Sequence, residues 1–335
     1  MTAALTGPVT GAALLAAAGC LAYALVGPRL ARRLPPAVAT RWLVVAALLV
    51  AVSSVLVVVA VAATWVGLLP GVGELGPWSA QRLRADSRVP PAVGIACAAL
   101  VCVALVRLAV TVYRRAASIV SVVRCCRRLP PTVDRVVVVD SPKVEAFTTP
   151  PPGARIVVTS ALLRHLPPDE GRALLAHERS HLTHRHVWWI LAADLAAAVN
   201  PLLVPTADAV RRTVERWADE DAARVVADRT LLARSLARTA LLAHGSADRI
   251  PRATGGDVAD RVRAMLSPPP RLRLLPAAAL AVLLTLALVA AAAVPVDTEE
   301  AFDRAAYAPA GRTVPHPSRH TSVQAPVIRV PRTRG

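Results

Sequence analysis

The residues best suited to chemistry form one short run, His177-Glu178-Arg179-Ser180-His181. On an α-helix, positions four apart share a face, so both histidines can direct an imidazole at one metal ion. The glutamate lies one position further round, where it can reach a water on that ion without binding the ion. Two histidines, a later third ligand and an open water position are the arrangement of a catalytic zinc site. A solvated polar helix face is the alternative explanation of the same residues.

The run is predicted to lie on a helix. Pro167, Pro168 and Asp169 precede it, and proline together with an acidic residue is favoured in the first turn of a helix.

A third zinc ligand is expected on a second helix packed across the first. Glu215 and Asp219 are four residues apart and share a helix face, and Ala218 and Ala222 allow the two helices to approach closely. We assign Glu215 to the metal, and Asp219 to the outer ring nitrogen of a ligand histidine, whose tautomer it would fix. Glu220 is the competing third ligand, and an acidic cluster without metal is the alternative to both.

These assignments predict peptide hydrolysis. Zinc would polarise the scissile carbonyl and lower the pKa of a water, while Glu178 acts as general base and passes the proton to the leaving amine. The strand predicted at Arg155–Thr159 is expected to hold an extended substrate by strand addition.

Other polar residues near the motif also receive assignments. His244, Arg211 and Arg212 are candidates for the group that stabilises the oxyanion. His184 and His186 are interpreted as polar surface residues, because neither matches the ligand spacing of His181.

Composition indicates a membrane protein. The chain is 55% hydrophobic and 18% charged, with a mean hydropathy of +0.49, which is typical of membrane chains. Its net charge of +17 comes almost wholly from arginine. Aromatic residues make up only 3% of the chain, too few for a base-stacking surface, so direct nucleic-acid binding is not expected. No CxxC pair occurs among the five cysteines, which excludes a cysteine-based zinc site.

Apolar stretches predict four membrane spans, at residues 9–26, 42–66, 92–112 and 274–294. The arginine clusters after the first and third spans contain no acidic residue, so the positive-inside rule puts both in the cytoplasm.

The predicted spans divide the chain into regions. A membrane region over residues 1–128 precedes a zinc domain over residues 129–273, which is expected on the cytoplasmic side. Residues 295–335 have the composition of a disordered tail. The apolar stretch 187–199 is expected to be a buried or membrane-surface helix rather than a span, because Asp194 and Asn200-Pro201 interrupt the apolar sequence.

Several short motifs together resemble the BlaR/MecR-type membrane metallopeptidases of bacteria: His177-Glu178-x-x-His181, Asn200-Pro201, Glu215-x-x-Ala218-Asp219, Ala146-Phe147-Thr148 and the run Ile156 to Leu163. The resemblance covers roughly Val136 to Ala223. It implies a gluzincin-type zinc domain on the cytoplasmic side, between a third and a fourth membrane helix. It also implies cleavage of a DNA-bound repressor after an external signal. The β-lactam-sensing relatives carry a large extracellular domain, for which the residues after 294 are too few.

We therefore predict an α-helical membrane protein with four transmembrane helices and a cytosolic-face α+β gluzincin-like zinc domain between the third and fourth. Its expected activity is zinc-dependent cleavage of a cytosolic, repressor-like protein at the cell membrane. The ligand pattern is shared by HtpX/Ste24-like membrane proteases, so a quality-control protease is the first alternative. The second is a signalling membrane protein whose zinc fold no longer cleaves, and the presence of Glu178 argues against it.

Overall fold

The long apolar stretches of the sequence form long helices. The computed structural model describes residues 8–67, 90–126, 134–151, 153–245 and 255–271, with scattered positions at 69, 72 and between 275 and 303. The helices within this part of the chain are α1 (Pro8–Ala31), α2 (Pro36–Val66), α3 (Pro91–Cys126), α4 (Ser160–His165), α5 (Pro168–Thr183), α6 (His186–Val199), α7 (Val204–Val226), α8 (Arg229–Gly245) and α9 (Gly255–Met265). The strands are β1 (Val136–Val139), β2 (Ala146–Thr148) and β3 (Ile156–Thr159).

Three of these helices coincide with predicted spans. Helices α2 and α3 are long and apolar enough to cross a membrane, with mean hydropathies of 3.0 and 2.6 in their most apolar windows. Helix α1 covers the predicted first span, although its side chains are described only from residue 17. The predicted fourth span and the tail after residue 294 lie largely outside the described residues.

Helix α6 covers the stretch 187–199 and is largely buried, which is one of the two placements expected for it. Its 14 residues extend about 21 Å, less than the roughly 30 Å hydrocarbon core of a bilayer. Ala193, Ala196 and Ala197 of α6 share one apolar cluster with Leu43 of α2 and Val210 of α7. This helix therefore joins α2, a candidate membrane span, to the helices that carry the metal-binding motif.

The three strands form one small sheet in the order β1-β3-β2. Strand β1 is parallel to β3 and β2 is antiparallel to it, so Val157 lies between Val137 and Phe147. All four residues of β3 are buried. The sequence correctly predicted strands at β1 and β3. The predicted substrate-binding role of Arg155–Thr159 is wrong, because both sides of β3 already carry a neighbouring strand. Within the described sheet, β1 and β2 are the edge strands.

Small residues allow the two helices of the motif to pack closely. Ala173 and Ala176 of α5 lie in one apolar cluster with Ala222 and Ala223 of α7. Helices α8 and α9 contribute Leu232 and Met265 among others to the same cluster. Since alanine adds only a methyl group to the helix surface, α7 approaches α5 closely enough for side chains from both helices to meet.

Candidate functional site

Two helices bring the predicted metal ligands together. His177 and His181 lie one turn apart on α5, with their Nε2 atoms 3.1 Å apart. Glu215 of α7 faces both, with Oε2 at 3.6 Å from Nε2 of His177 and Oε1 at 3.7 Å from Nε2 of His181. One donor atom from each of the three residues lies within 4.8 Å of the others.

These separations fit a zinc ion. With bonds of about 2.1 Å, tetrahedral geometry separates the ligand atoms by about 3.4 Å, and the observed distances of 3.1 to 3.7 Å lie on both sides of that value. The donor set of two imidazoles and one carboxylate is also one that zinc prefers. Three protein ligands leave a fourth position for water or substrate.

Glu220, the competing ligand, faces elsewhere. Both of its carboxylate oxygens accept hydrogen bonds from Arg229, at 2.6 and 3.1 Å. This fork-to-fork pair lies at the start of α8. Geometry therefore favours Glu215 over Glu220 as third ligand.

Asp219 lies behind His177, where the sequence predicted it. Its Oδ1 atom is 2.9 Å from Nδ1 of His177, and its side chain is fully buried. The contact is a short ion-pair distance rather than a well-aligned hydrogen bond. It lies on the ring nitrogen opposite the Nε2 atom that faces Glu215, so it favours the tautomer with a free Nε2 lone pair.

Arg261 of α9 is a member of the site that sequence reasoning missed. It donates two hydrogen bonds to the carboxylate of Asp219, at 2.7 and 2.8 Å. Its Nη1 atom also lies 3.2 Å from Oε2 of Glu215. One guanidinium thus balances two acidic groups, which would otherwise be costly to bury.

Electrostatics within the cluster shift the protonation of its members. Burial alone would lower the pKa of His177, but Asp219 and Glu215 outweigh burial and raise this pKa to about 9. Burial alone would raise the pKa of Glu215, but His177, Arg261 and His181 hold it well below its usual value. Burial and the neighbouring charge of His177 lower the pKa of His181. Without metal, the cluster therefore stores a proton on His177.

His186 is buried behind His181. The sequence interpretation of His186 as a surface residue is wrong, since only 1% of the residue is exposed. Its Nδ1 atom lies 2.9 Å from Nδ1 of His181. Arg185 adopts a left-handed conformation with φ of 51°, and this turn between α5 and α6 folds His186 back onto the motif. His184 is partly exposed, and its Nε2 atom lies 2.9 Å from Asp221.

A neutral His186 suits this position. Burial, followed by the charges of His181 and His184, lowers the pKa of His186 to about 3. A neutral imidazole can accept the Nδ1–H of His181 on its own Nδ1, which leaves Nε2 of His181 free for a metal.

Glu178 is hydrogen-bonded to strand β2 of the sheet. The hydroxyl of Thr148 on β2 donates a hydrogen bond of 2.8 Å to Oε2 of Glu178 and lies 3.1 Å from its backbone oxygen. Glu178 is only 7% exposed. A short edge strand thus fixes the side chain that the sequence assigned as general base.

The ligands and Glu178 open into one groove with a volume of about 770 Å³. Strand β2, the C-terminal part of α5 and the start of α6 form its walls. Neither Arg211 nor Arg212 lines it, and the side chain of His244 lies outside the described residues. Arg211 instead pairs with Asp194 and Asp208. The arginines that do line the groove are Arg135, Arg155 and Arg185.

The helix that carries the motif also has recognisable relatives. Residues 111–199 match the model of peptidase family M48. The matched segment contains His177, Glu178 and His181 and ends before Glu215, so this match says nothing about the third ligand.

Two proteins named Protease HtpX homolog share short stretches with the chain. The protein of Thermoplasma acidophilum is 49% identical over 57 residues, which cover 17% of this chain and 18% of that protein. The protein of Aeropyrum pernix is 52% identical over 54 residues, which cover 16% and 17% of the two chains. The matches thus span less than a fifth of either relative. No solved structure matches the chain.

Together the matches support a membrane metallopeptidase of the M48 type. They do not bear out the narrower resemblance to the BlaR/MecR type, and the HtpX-like alternative fits them comparably.

Proposed function

We propose that this chain is a membrane-bound zinc endopeptidase. The observation that supports this most directly is the placement of Glu178 in an open groove beside three donor atoms spaced for one ion. The M48 match over the same helix and the apolar helices α2 and α3 support the same activity at a membrane.

Each residue of the cluster has a defined task in this activity. When bound to His177, His181 and Glu215, zinc would polarise the scissile carbonyl and acidify a water. Glu178 accepts the proton of the attacking water and transfers it to the leaving amine. Asp219 and His186 hold the two imidazoles in the tautomers that leave Nε2 free.

The edge strand β2 is the proposed site for the substrate backbone. It lines the groove, and its Thr148 hydroxyl contacts Glu178. An extended peptide that adds to this edge would pass directly beside the general base. Phe147, with 43% of its surface exposed, offers an apolar contact at the same edge.

Replacement of Glu178 by glutamine tests the activity. Because only proton transfer is removed, Glu178→Gln should keep its zinc and fold but lose casein hydrolysis by about a hundredfold or more. Glu145→Gln, the same change at an exposed glutamate, should retain activity. Wild-type turnover by Glu178→Gln would contradict the proposal.

For the substrate, we favour site-specific cleavage of a cytosolic regulator, which the BlaR/MecR resemblance supports. The likeness to proteins named HtpX homologs supports the alternative, a broader turnover of membrane proteins. Proteomes of cells with wild-type protein and with Glu178→Gln distinguish the two. One or two stabilised repressor-like proteins would support regulation, and many accumulated membrane proteins would support turnover.

We also propose that the zinc domain lies on the cytoplasmic side of the cell membrane. Reporters fused after Arg33 should be cytoplasmic and reporters fused after Gly76 external, because acid-free arginine clusters stay inside. The reverse pattern would contradict this orientation.

A further inference from the structure

A second cavity lies between α1, α7 and α9. Its volume is about 350 Å³, and it shares no lining residue with the groove described above. Its walls are rich in arginine. The lining includes five arginines and two aspartates: Arg32, Arg212, Arg216, Arg261, Arg263, Asp257 and Asp260.

Two of the five arginines already have acidic partners. Arg261 is bound by Asp219 and Glu215, and Arg263 lies 2.5 Å from Asp260. Among the described residues, the remaining three have no ion pair, and the one carboxylate left to face them is that of Asp257. The cavity therefore has an excess of positive charge that the domain itself does not neutralise.

Arg216 gives the clearest evidence that the cavity lacks a hydrogen-bond acceptor. Its Nε atom is buried and has no hydrogen-bond acceptor in the described part of the chain. A buried donor on a cationic group is costly to leave unsatisfied. An anion in the cavity that this residue lines would supply the acceptor.

The topology predicted from the sequence puts the cavity at the level of the lipid headgroups. The apolar run of α1 ends at Val26, and the cavity begins with Pro28 and Arg32, a few residues later. Span α2 begins on the same side, where Arg41 lies 4.9 Å from the ring of Trp217 on α7. Arginine and tryptophan at the ends of apolar helices mark the membrane interface.

We propose that this cavity binds the phosphate of an anionic membrane lipid. Guanidinium groups bind phosphate oxygens with two parallel hydrogen bonds, and they do so best when other cations share the charge. Anionic lipids hold their phosphates at this depth and attract basic clusters close to the membrane surface. Inorganic phosphate offers the same chemistry, but without the anchor that keeps a lipid headgroup at the level of Pro28.

Lipid-dependent thermal stability tests the proposal without relying on peptidase activity. The full chain in an uncharged detergent at low salt is titrated with dihexanoyl-phosphatidylglycerol, dihexanoyl-phosphatidylcholine or inorganic phosphate. Phosphatidylglycerol should raise the melting temperature of the wild type, because a ligand that binds only the folded state stabilises it. Phosphatidylcholine and inorganic phosphate at equal concentrations should raise it much less.

Two double variants with equal charge changes provide the comparison. Arg212→Gln/Arg216→Gln should raise the half-saturating concentration of phosphatidylglycerol about tenfold or more, since it removes charge-assisted hydrogen bonds. Arg164→Gln/Arg172→Gln removes the same charge at exposed positions outside the cavity and should behave as wild type. If the first variant does not fold, the exposed Arg212→Gln alone should still weaken binding several-fold.

Three results would overturn the proposal. One is the absence of stabilisation by phosphatidylglycerol in the wild type. Another is an equal loss in both double variants, which would mean attraction to the overall charge. The third is equal stabilisation by inorganic phosphate, which would assign the cavity to a free anion.

Discussion

The Nδ1 atom of His186 lies 2.9 Å from the Nδ1 atom of His181, on the opposite side of that ring from the Nε2 atom that faces Glu215. Two nitrogens at this distance share one proton. Since burial and nearby imidazoles lower the pKa of His186 to about 3, the proton belongs on His181 and His186 accepts it. This contact presents the ligand lone pair of His181 to the metal.

Loss of this contact should weaken zinc binding. His186→Phe retains a buried ring but removes the acceptor, so zinc affinity should fall about 10-fold to 100-fold. Competition with a chromophoric chelator measures the affinity. His165→Phe, the same change at an exposed histidine of α4, serves as control. Equal affinities in the two variants would show that His186 only fills space.

The third ligand is tested by two glutamates of α7. Glu215→Ala should lose stoichiometric zinc, because two imidazoles alone leave the coordination incomplete. Glu220→Ala should keep zinc but melt at a lower temperature, because it leaves Arg229 without its carboxylate partner. Metal content by mass spectrometry and thermal unfolding separate the effects. Zinc lost from Glu220→Ala and kept in Glu215→Ala would reverse the assignment.

Local helix geometry explains how much of the site could be predicted from the sequence. The spacing of four residues puts His177 and His181 on one face of any helix, and the same spacing does so for Glu215 and Asp219. The alanines Ala218 and Ala222 beside Glu215 and Asp219 predict close packing of this helix against the helix of the motif. The structure brings all four residues together.

No local sequence pattern predicts the members of the site that tertiary structure brings in, His186 and Arg261. His186 reaches His181 because Arg185 adopts a left-handed backbone conformation. Arginine has no intrinsic preference for this conformation, so the sequence does not predict the turn. Arg261 lies on another helix, 46 residues after Glu215 in the sequence, and is not part of a local spacing pattern with the other site residues. The β-branched, apolar sequence of β3 is the strongest strand signal in this region, and it reflects burial in the centre of the sheet. A central strand is paired on both sides and therefore has no free edge for a substrate.

The hydroxyl of Thr148 should contribute to catalysis by orienting Glu178. Thr148→Val keeps the shape of the side chain and removes the 2.8 Å hydrogen bond to Oε2, so kcat should fall about tenfold, equivalent to about 1.4 kcal/mol. Zinc content should not change. Thr148→Ser restores the donor and should recover most of the rate. A valine variant as fast as wild type would exclude the role.

Zinc binding should depend on pH through His177. In the metal-free site the pKa of His177 is raised from 6.5 to about 9, so its protonated form stabilises the fold. That stabilisation is complete below about pH 6.5 and is lost as the pH rises through about 9. Zinc requires the neutral imidazole, so binding at pH 7 should release about one proton from His177. Affinity should then rise about tenfold per pH unit between pH 7 and 8.5.

Calorimetry in two buffers with different ionisation enthalpies counts the released protons. Asp219→Asn provides the control, because without this carboxylate the pKa of His177 falls and the affinity should depend less steeply on pH. The metal-free wild type should also lose thermal stability between pH 7 and 9, whereas the zinc-loaded protein should not. A zinc affinity that is flat over this range in the wild type would mean that Asp219 and Glu215 do not hold a proton on His177.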